Sequence, residues 1–366
     1  MSVSLKSLAF FVACLAAPVT AQQPSAARLE AAIDSVVKTD VLAQGMPSVS
    51  VVIMRGGETL LERAWGLADL ASGRRAEPST VYQIASISKQ FTAVLILKLV
   101  ERGKLSLADS LGRHLTGLNP EWQSITVEQL LNHTSGLKAD FRNFARRSEM
   151  RSRDSLLAMA IRDTLATRPG TTFIYSNTGY MILGVLIEKY YGKSYADALR
   201  DEIARPLGLT ALKYCDAEKP AGMAESYQRS PQGTATPMAS IHPSQLLGNG
   251  GICSTASDLA KWNRALHGGR VLAPASYAAM TTPRGAAAIA GKYGLGLYVR
   301  PAPWGSMAMV HEGTTAGYAS ANAWYPAESL SVTVLYNGVP RLPRDVDGII
   351  TEIAFGRTPA PSAPAP

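Results

Sequence analysis

Charge, cysteine and histidine are all scarce in this 366-residue chain. Charged side chains make up 17% of it against 46% hydrophobic, so a sizeable core can form and the bulk of the chain is expected to be globular. The formal charge is +8, mostly from scattered arginines, with no run of five basic residues and no aromatic interleaving. That pattern excludes a nucleic-acid footprint and fits a soluble basic protein. The five histidines (114, 133, 242, 267 and 311) show no ligand spacing with one another or with the cysteines, so neither a metal nor a cofactor is expected. No Gly-x-Ser-x-Gly elbow occurs, which argues against an α/β-hydrolase. Internal repeats are absent as well.

What long apolar sequence there is lies at the start. Residues 1–21 read as a secretory signal, with Lys6 as the positive start, Leu8 to Leu15 as the apolar stretch and Val19-Thr20-Ala21 as a small-residue cleavage site. Cys14 offers a lipoprotein alternative, but Phe11-Val12-Ala13-Cys14 is a poor lipobox. Nothing later is apolar over a length that spans a bilayer, so the mature chain is expected to carry no transmembrane segment and to be periplasmic or secreted. Cys215 and Cys253 remain in an oxidising compartment, where they either form a disulfide or stay as two buried thiols; the bridge is the preferred reading.

Taken in order, the spacing predicts an amphipathic helix over Ala26 to Leu42 and a β-hairpin from Ser48–Met54 and Thr59–Trp65 around Arg55-Gly56-Gly57. A buried helix should run from about Ser86 to Gly103, with further helix starting at Leu105 to Asp109 and a capping box at Thr126-Val127-Glu128-Gln129. Tyr180–Tyr191, Tyr195–Ala204 and Asp258–His267 read as helices, and 218–250 as a long ordered loop. Tyr293–Arg300, Met307–His311, Tyr318–Tyr325 and Ser329–Tyr336 read as strands, Val346–Ala354 as a helix, and 357–366 as a disordered tail. These elements predict an α/β (α+β) fold, a central antiparallel sheet flanked by helices. The sheet domain is discontinuous (26–75 and 290–356), and 76–289 is mainly helical.

The chemistry centres on Ala85-Ser86-Ile87-Ser88-Lys89, at the start of the most apolar helix. A serine at a helix start meets free N–H groups and the positive end of the dipole. Three residues on, Lys89 lies on the same face; burial lowers an amine's pKa and makes it a base beside a nucleophile. Ser135-Gly136-Leu137-Lys138 matches the same spacing but follows a polar turn, which implies no helix start and a solvated lysine. Tyr175-Ser176-Asn177 precedes the Tyr180 helix. Its tyrosine could shuttle a proton and its asparagine could hold both the lysine and a substrate carbonyl, or the two could be a core aromatic and a helix cap. A strand edge must complete the site, and His267-Gly268-Gly269, Lys292-Tyr293-Gly294 and His311-Glu312-Gly313-Thr314 are the candidates. The last is preferred because small residues follow a strand.

Ser86-Ile87-Ser88-Lys89, Tyr175-Ser176-Asn177 and His311-Glu312-Gly313, in that order, resemble the three motifs of the serine β-lactamase-related enzymes. The branch is that of class C β-lactamases, D-Ala-D-Ala carboxypeptidases, D-aminopeptidases and certain esterases. Supporting matches are Gly103 to Asp109, Leu130 to Leu137, Gly250 to Thr255 with Asp258-Leu259, and Tyr293 to Gly296, so the likeness spans about residues 26–355. The resemblance implies a β-lactamase/transpeptidase-like fold with its site between the sheet and an all-helical region. It implies Ser86 as acylated nucleophile, Lys89 as base, Tyr175 in proton transfer and Asn177 as the orienting amide. Backbone N–H groups of Ser86 and Thr314 would form the oxyanion hole, His311 and Gly313 would line the substrate, and His133 and Ser135 would brace the loop beside it.

One departure bears on substrate. Enzymes of this type dedicated to β-lactams or carboxypeptidation resemble one another in carrying Lys-Thr-Gly where this chain has His311-Glu312-Gly313. A histidine is mostly neutral at pH 7 and supplies no fixed charge for a carboxylate. The reading is therefore an esterase or D-amino-acid peptidase-like hydrolase acting on a small-molecule or peptide substrate. A true β-lactamase or DD-carboxypeptidase is the alternative, and a non-catalytic penicillin-recognising module the second alternative. Composition does not speak to oligomeric state.

Overall fold

The hairpin predicted at Ser48–Trp65 starts the central sheet. Strand β1 (Ser48–Arg55) pairs antiparallel with β2 (Glu58–Asp69), Val49 opposite Trp65 and Val51 opposite Arg63. Gly56 and Gly57 turn the chain at φ 57° and 95°, the left-handed values that a two-residue hairpin loop requires. The computed structural model describes residues 25–140, 149–215, 219–302, 304–340, 342 and 344–358. The expected signal (1–21, with Cys14) and residues 359–366 of the expected tail lie outside them.

Arg74–Arg75 (β3) adds to the edge of β2, and the remaining strands come from the end of the chain: β4 (Tyr298–Pro301), β5 (Met307–Thr315), β6 (Tyr318–Tyr325) and β7 (Leu330–Tyr336). Among the described residues they form one seven-stranded antiparallel sheet in the order β3-β2-β1-β7-β6-β5-β4. Val51 faces Val334, so the first hairpin is sewn to the last strand. β1 is buried on both faces because helices cover both. On one face lie α1 (Ala26–Val36) and the C-terminal helix, packing Leu29, Ile33 and Ile350 on Val49, Val51 and Val334.

On the other face lie α2 (Ser88–Glu101), α3 (Asn177–Tyr191) and α4 (Ala256–His267). The C-terminal helix is α5 (Val346–Ala354), within the residues predicted for it. Phe91 of α2 stacks on Trp262 of α4 at 4.2 Å. Asn263 of α4 donates to Asn322 Oδ1 at 2.8 Å and to Ser331 Oγ at 2.9 Å, so the buried polar groups of the inner sheet face are paired across the layers. Six apolar side chains of α2 (Phe91, Val94, Leu95, Ile96, Leu97, Leu99) are buried. At about 1.5–3 kcal/mol each they contribute about 10 kcal/mol or more, enough to carry one lysine into the core.

Several expectations change in detail. The helix predicted over 26–42 is α-helical only to Val36, then widens over Val37–Val41 and tightens over Leu42–Gln44 before Gly45 at φ 78°. No helix begins at Leu105: Asp109 accepts from the Ser106 N–H at 2.7 Å, closing a local turn instead, and one helical turn follows at Leu111–His114. The capping box at Thr126 and Gln129 is present. Within 218–250, Tyr227–Arg229 pairs with Ala235–Pro237 and with Gly338–Val339, so part of the expected loop is sheet; the segment read as mainly helical also holds the short strands Tyr82–Gln83, Lys213–Tyr214 and Ile252–Ser254. The strand predicted from Tyr293 starts only at Tyr298, because Gly294 donates to Leu297 in a turn. A Cβ on Gly296 would sit 2.7 Å from the Lys89 carbonyl, so that turn presses directly on α2.

Cys215 and Cys253 form a disulfide across 38 residues, both buried beside the strand Ile252–Ser254. Closing a loop of that length restricts the unfolded chain by about 4 kcal/mol in the chain-entropy account. The double substitution Cys215→Ser with Cys253→Ser is expected to lower the unfolding free energy by about 2–4 kcal/mol. Urea denaturation of wild type and variant without reductant measures it, and reductant should close the gap between them.

Candidate active site

Ser86 lies in a single tight turn, Ala85–Ile87, that leads into α2. Ala85 before it has φ 48°, a left-handed value unusual for a residue with a Cβ, and is held there from two sides. The Ile84 N–H donates to the Ile252 carbonyl at 2.9 Å, and Ser320 of β6 donates to the Ile84 carbonyl at 2.8 Å. Beside Ser320 sits Gly313, where a Cβ would come within 2.5 Å of the Ile84 carbonyl and 2.9 Å of Ala85 Cβ. The third motif thus touches the nucleophile turn through the absence of a side chain.

Lys89 is fully buried, and its Nζ lies 3.0 Å from Ser86 Oγ, 2.8 Å from Asn177 Oδ1 and 2.9 Å from the Asn249 carbonyl. Burial lowers its pKa to about 7, against an opposing pull from the Asp140 carboxylate. Two of the three partners can only accept. A neutral amine has two hydrogens and one lone pair, so it spends the hydrogens on Asn177 and Asn249 and turns the lone pair to the serine O–H. That is the arrangement of a base and the hydroxyl it deprotonates.

Tyr175 lies beside this pair, with the Lys89 amine 4.8 Å from its ring centroid. Burial pushes the Tyr175 phenol up, so it stays protonated across the working pH range. Ser176 caps α3, its Oγ accepting from the Gly179 N–H at 3.2 Å, which leaves Asn177 as the first helical residue and not the cap. The loop 132–140 cradles this turn. His133 Nδ1 accepts from the Ser176 N–H at 3.0 Å, Ser176 Oγ donates to the Lys138 carbonyl at 2.7 Å, and the Asn177 N–H donates to the Ala139 carbonyl at 2.7 Å.

Strand β5 runs on from His311 to Thr315 beyond its last pairing with β4, Val310 opposite Tyr298. Thr315 and Tyr318 close a two-residue hairpin, so alternation sends the Thr315, Gly313 and His311 N–H groups toward β6 and the Thr314 N–H toward the cleft. Ser86, Asn177, Asn249, Gly250, Thr314 and Asp140 share the wall of that cleft, whose volume is about 410 Å³. A larger hollow of about 590 Å³ lies between the outer sheet face and α5, and its wall carries no serine, cysteine or lysine.

The structure brings Ser86, Lys89, Tyr175, Asn177, Gly313 and Thr314 together and treats His311 differently. Its imidazole is buried, with Nδ1 2.6 Å from the Glu312 carbonyl and Nε2 3.0 Å from the Tyr293 hydroxyl. Donation from Nδ1–H leaves Nε2 to accept from Tyr293, and burial pushes the ring down to about 3, so it is neutral. It braces the strand through Tyr293 and lines, with Tyr175, Tyr298, Arg300 and Glu312, a hollow beside the site. The rival third motifs lie elsewhere: Lys292 is exposed at a left-handed turn, and His267, half-buried, stacked on Trp324 and bonded to Tyr277, ends α4. Ser135 and Lys138 do not meet, since Lys138 is half-buried and pairs with Asp163 at 3.6 Å instead of being simply solvated.

Two residues of the site escaped the sequence reading. Asn249 offers its carbonyl to Lys89, and its loop is pinned by α2: Ser88 Oγ accepts from the Ile252 N–H at 3.2 Å, and Thr92 Oγ1 donates to the Gly248 carbonyl at 2.6 Å. Asp140 Oδ1 accepts from Asn177 Nδ2 at 3.1 Å. The polar residues Ser88 and Thr92 on the otherwise apolar α2 were the signal for the first; nothing in the sequence marked the second.

The family described as Beta-lactamase matches residues 29–354 of the chain. The chain is 28% identical to the putative penicillin-binding protein PbpX of Bacillus subtilis (strain 168) over 293 residues, 80% of this chain and 71% of that protein. It is 32% identical to Protein flp of Staphylococcus aureus (strain COL) over 187 residues, which cover 50% of this chain and 38% of flp, so the match spans well under half of that relative. Among solved structures, the octameric penicillin-binding protein homologue from Pyrococcus abyssi superposes with a TM-score of 0.79 at 25% identity, covering 90% of this chain and 78% of that one. A D-stereospecific amidohydrolase from Streptomyces sp. gives 0.77 at 26% identity, covering 91% and 99%. The D-amino acid amidase of Ochrobactrum anthropi SV3 shares the fold, with a TM-score of 0.76 at 24% identity over 90% and 97%.

The contact at Gly313 yields a prediction. Gly313→Ala forces β5 away from Ile84 and Ala85, moving the Thr314 N–H relative to Ser86. Hydrolytic activity should fall by about 10²-fold while circular dichroism stays that of wild type; steady-state kinetics on the folded variant measures the loss.

Proposed function

The chain belongs to the beta-lactamase family, and from that premise we propose that it is a serine hydrolase that cleaves esters or D-amino-acid amides through an acyl-enzyme on Ser86. The observation that carries the reading is the Lys89 amine, held near neutrality 3.0 Å from the serine hydroxyl. Ser86 Oγ attacks the carbonyl carbon as its proton passes to Lys89 Nζ. Negative charge gathers on the carbonyl oxygen, where the Ser86 and Thr314 N–H groups receive it. When the tetrahedral species collapses, the bond to the leaving nitrogen or oxygen breaks, and that atom takes the proton through the Tyr175 hydroxyl. Water, deprotonated by the same amine, then attacks the ester carbon, and Oγ leaves with its proton restored.

The substrate side of the proposal rests on charge. The neutral His311 gives the third motif no cation for a carboxylate, and the amidohydrolase and amidase among the structural neighbours act, by their names, on D-configured compounds. Export is part of the same proposal: it rests on residues 1–21, and a disulfide suits an oxidising compartment.

A fluorophosphonate should add once to wild type and not to Ser86→Ala, read by intact mass. Failure to label wild type would sink the acyl-enzyme reading. Lys89→Met should cut kcat/KM by about 10²–10⁴-fold with the fold retained. In wild type the neutral amine is the active form, so kcat/KM should rise about tenfold per pH unit below pH 7 and level off above it. Burial keeps Tyr175 protonated, so no alkaline fall from its ionisation is expected up to pH 10.

A further inference from the structure

Cys253 stands a short way along the chain from Asn249, whose carbonyl accepts from Lys89 at 2.9 Å. Between them, Ile252 makes two bonds to the surroundings of the nucleophile. Its N–H donates to Ser88 Oγ at 3.2 Å, and its carbonyl accepts from the Ile84 N–H at 2.9 Å. Cys215 grips the residues on either side of Ile252: the Cys215 N–H donates to the Gly251 carbonyl at 2.8 Å, and its sulfur is bonded to Cys253. Non-covalent support for that grip is slight. Lys213–Tyr214 and Tyr82–Gln83 meet the strand Ile252–Ser254 over two residue pairs each. The bridge lies in a small cluster of its own with Val81 and Met223, apart from both large cores. The Ile252 side chain is anchored in the inner core, which fixes the place of the residue. The direction of its peptide groups, on which its hydrogen bonds depend, is left to its flanks.

We propose that the Cys215–Cys253 bridge is a positioning device of the reaction: through Ile252 it holds the 246–252 loop against α2, and so keeps the Asn249 carbonyl on the Lys89 amine. The inference rests on the acyl-enzyme reading above and goes beyond the restraint that the bridge places on the unfolded chain. Without the bridge, the strand Ile252–Ser254 can shear against Lys213–Tyr214, and the loop before it follows. The buried amine then loses an acceptor, and water from the cleft that Asn249 and Gly250 line takes the place of the carbonyl. Water favours the ammonium form, so a wetter Lys89 keeps its proton to higher pH. No titratable side chain stands on the 246–252 loop. Among the described residues, the groups that face the amine are Asp140 across Asn177, the buried His133 and His311, and the rings of Tyr175 and Tyr180 at 4.8 and 5.5 Å. All of them sit on other segments and keep their charge states when the bridge is removed. Wetting is therefore the effect that separates the bridged from the unbridged protein. Both cysteines are buried, so the bridge is a permanent brace of the folded enzyme and not an exposed redox switch.

The test follows kcat/KM against pH on a 4-nitrophenyl ester for wild type, for Cys215→Ser with Cys253→Ser, and for Leu29→Ala, each shown to be folded by circular dichroism. Leu29 packs α1 on the outer sheet face, so its truncation lowers stability without touching the site. In the bridge-free variant the midpoint of the acid limb should rise from about 7 by about one pH unit. Activity should then be down about tenfold below pH 6 and less than about twofold at pH 9, while Leu29→Ala keeps the wild-type midpoint. If the serine pair does not fold, Cys215→Ala with Cys253→Val, apolar side chains in an apolar cluster, takes its place in the same comparison. A wild-type midpoint and rate without the bridge would overturn the proposal and leave the bridge a tether of the unfolded chain. A loss of equal size at every pH would overturn it as well, since α2 and Asn177 alone would then set the base. A midpoint that shifts equally in Leu29→Ala would overturn it in favour of general loosening. Fluorophosphonate labelling separates the two levels. A wild type that labels at Ser86, beside a bridge-free variant with an unshifted midpoint, refutes this inference alone; a wild type that neither labels nor turns over the ester refutes the acyl-enzyme reading.

Discussion

An amine buried at the foot of a hydrophobic helix is the constraint on which this molecule depends. Lys89 can be a base only while it is dry enough to give up its proton near pH 7, and it is tolerable only while each of its hydrogens has an acceptor. The two needs pull on different parts of the chain. Dryness comes from α2 and its neighbours, which bury every side of the helix. The acceptors come from Asn177, 88 residues away, and Asn249, 160 residues away, so the loop 246–252 and the start of α3 must both arrive at one atom. Ser88 and Thr92, spaced along α2 with Lys89, secure one of those arrivals, and the 132–140 loop secures the other.

The groups around the amine then have to stay uncharged. His133 and His311 are buried and pushed well below the usual imidazole range, in part by Lys89 itself, while Tyr175, Tyr180 and Tyr293 are pushed up by the same burial. All five are neutral at pH 7, which makes a packed aromatic shell with His133 4.2 Å from Tyr175 and 4.7 Å from Tyr293. A charged imidazole here would raise the cost of protonating Lys89 and would also need a counter-ion that the shell has no room to solvate. The surface pays no such attention to charge: Arg113 with Asp109 and Lys193 with Asp201 are exposed or half-exposed pairs of little consequence for stability.

Local chemistry was legible in the sequence wherever it repeats along the chain. Apolar spacing located α2 and α3, alternation located the hairpin and strands β5 to β7, and Gly103, Gly192 and Gly268 marked the ends of α2, α3 and α4. Three short motifs located six side chains or backbone groups of the site. What could not be read was set by contacts between distant segments. Asn249 matters through its carbonyl, which every residue possesses, and Asp140 through a bond to an amide 37 residues on. The Tyr293–Leu297 segment looked like strand because it alternates, but Gly296 must press on the Lys89 carbonyl and the chain turns there instead. His311 is legible as part of the third motif, but its burial is not, because that depends on Tyr293 arriving from the segment before β4.

In the third motif, backbone geometry and side-chain charge are separable. Two contributions of β5 to the reaction are independent of side-chain charge: the close approach allowed by Gly313 and the N–H direction fixed at Thr314 by pairing with β6. Both survive any residue at 311 that fits against Tyr293. The charge of residue 311 is a separate variable, acting on the ligand and, through space, on Lys89. The Asp140 carboxylate lies across Asn177 from Lys89 and favours the protonated amine. The reactive geometry belongs to the buried helix and to the backbone of the strand beside it.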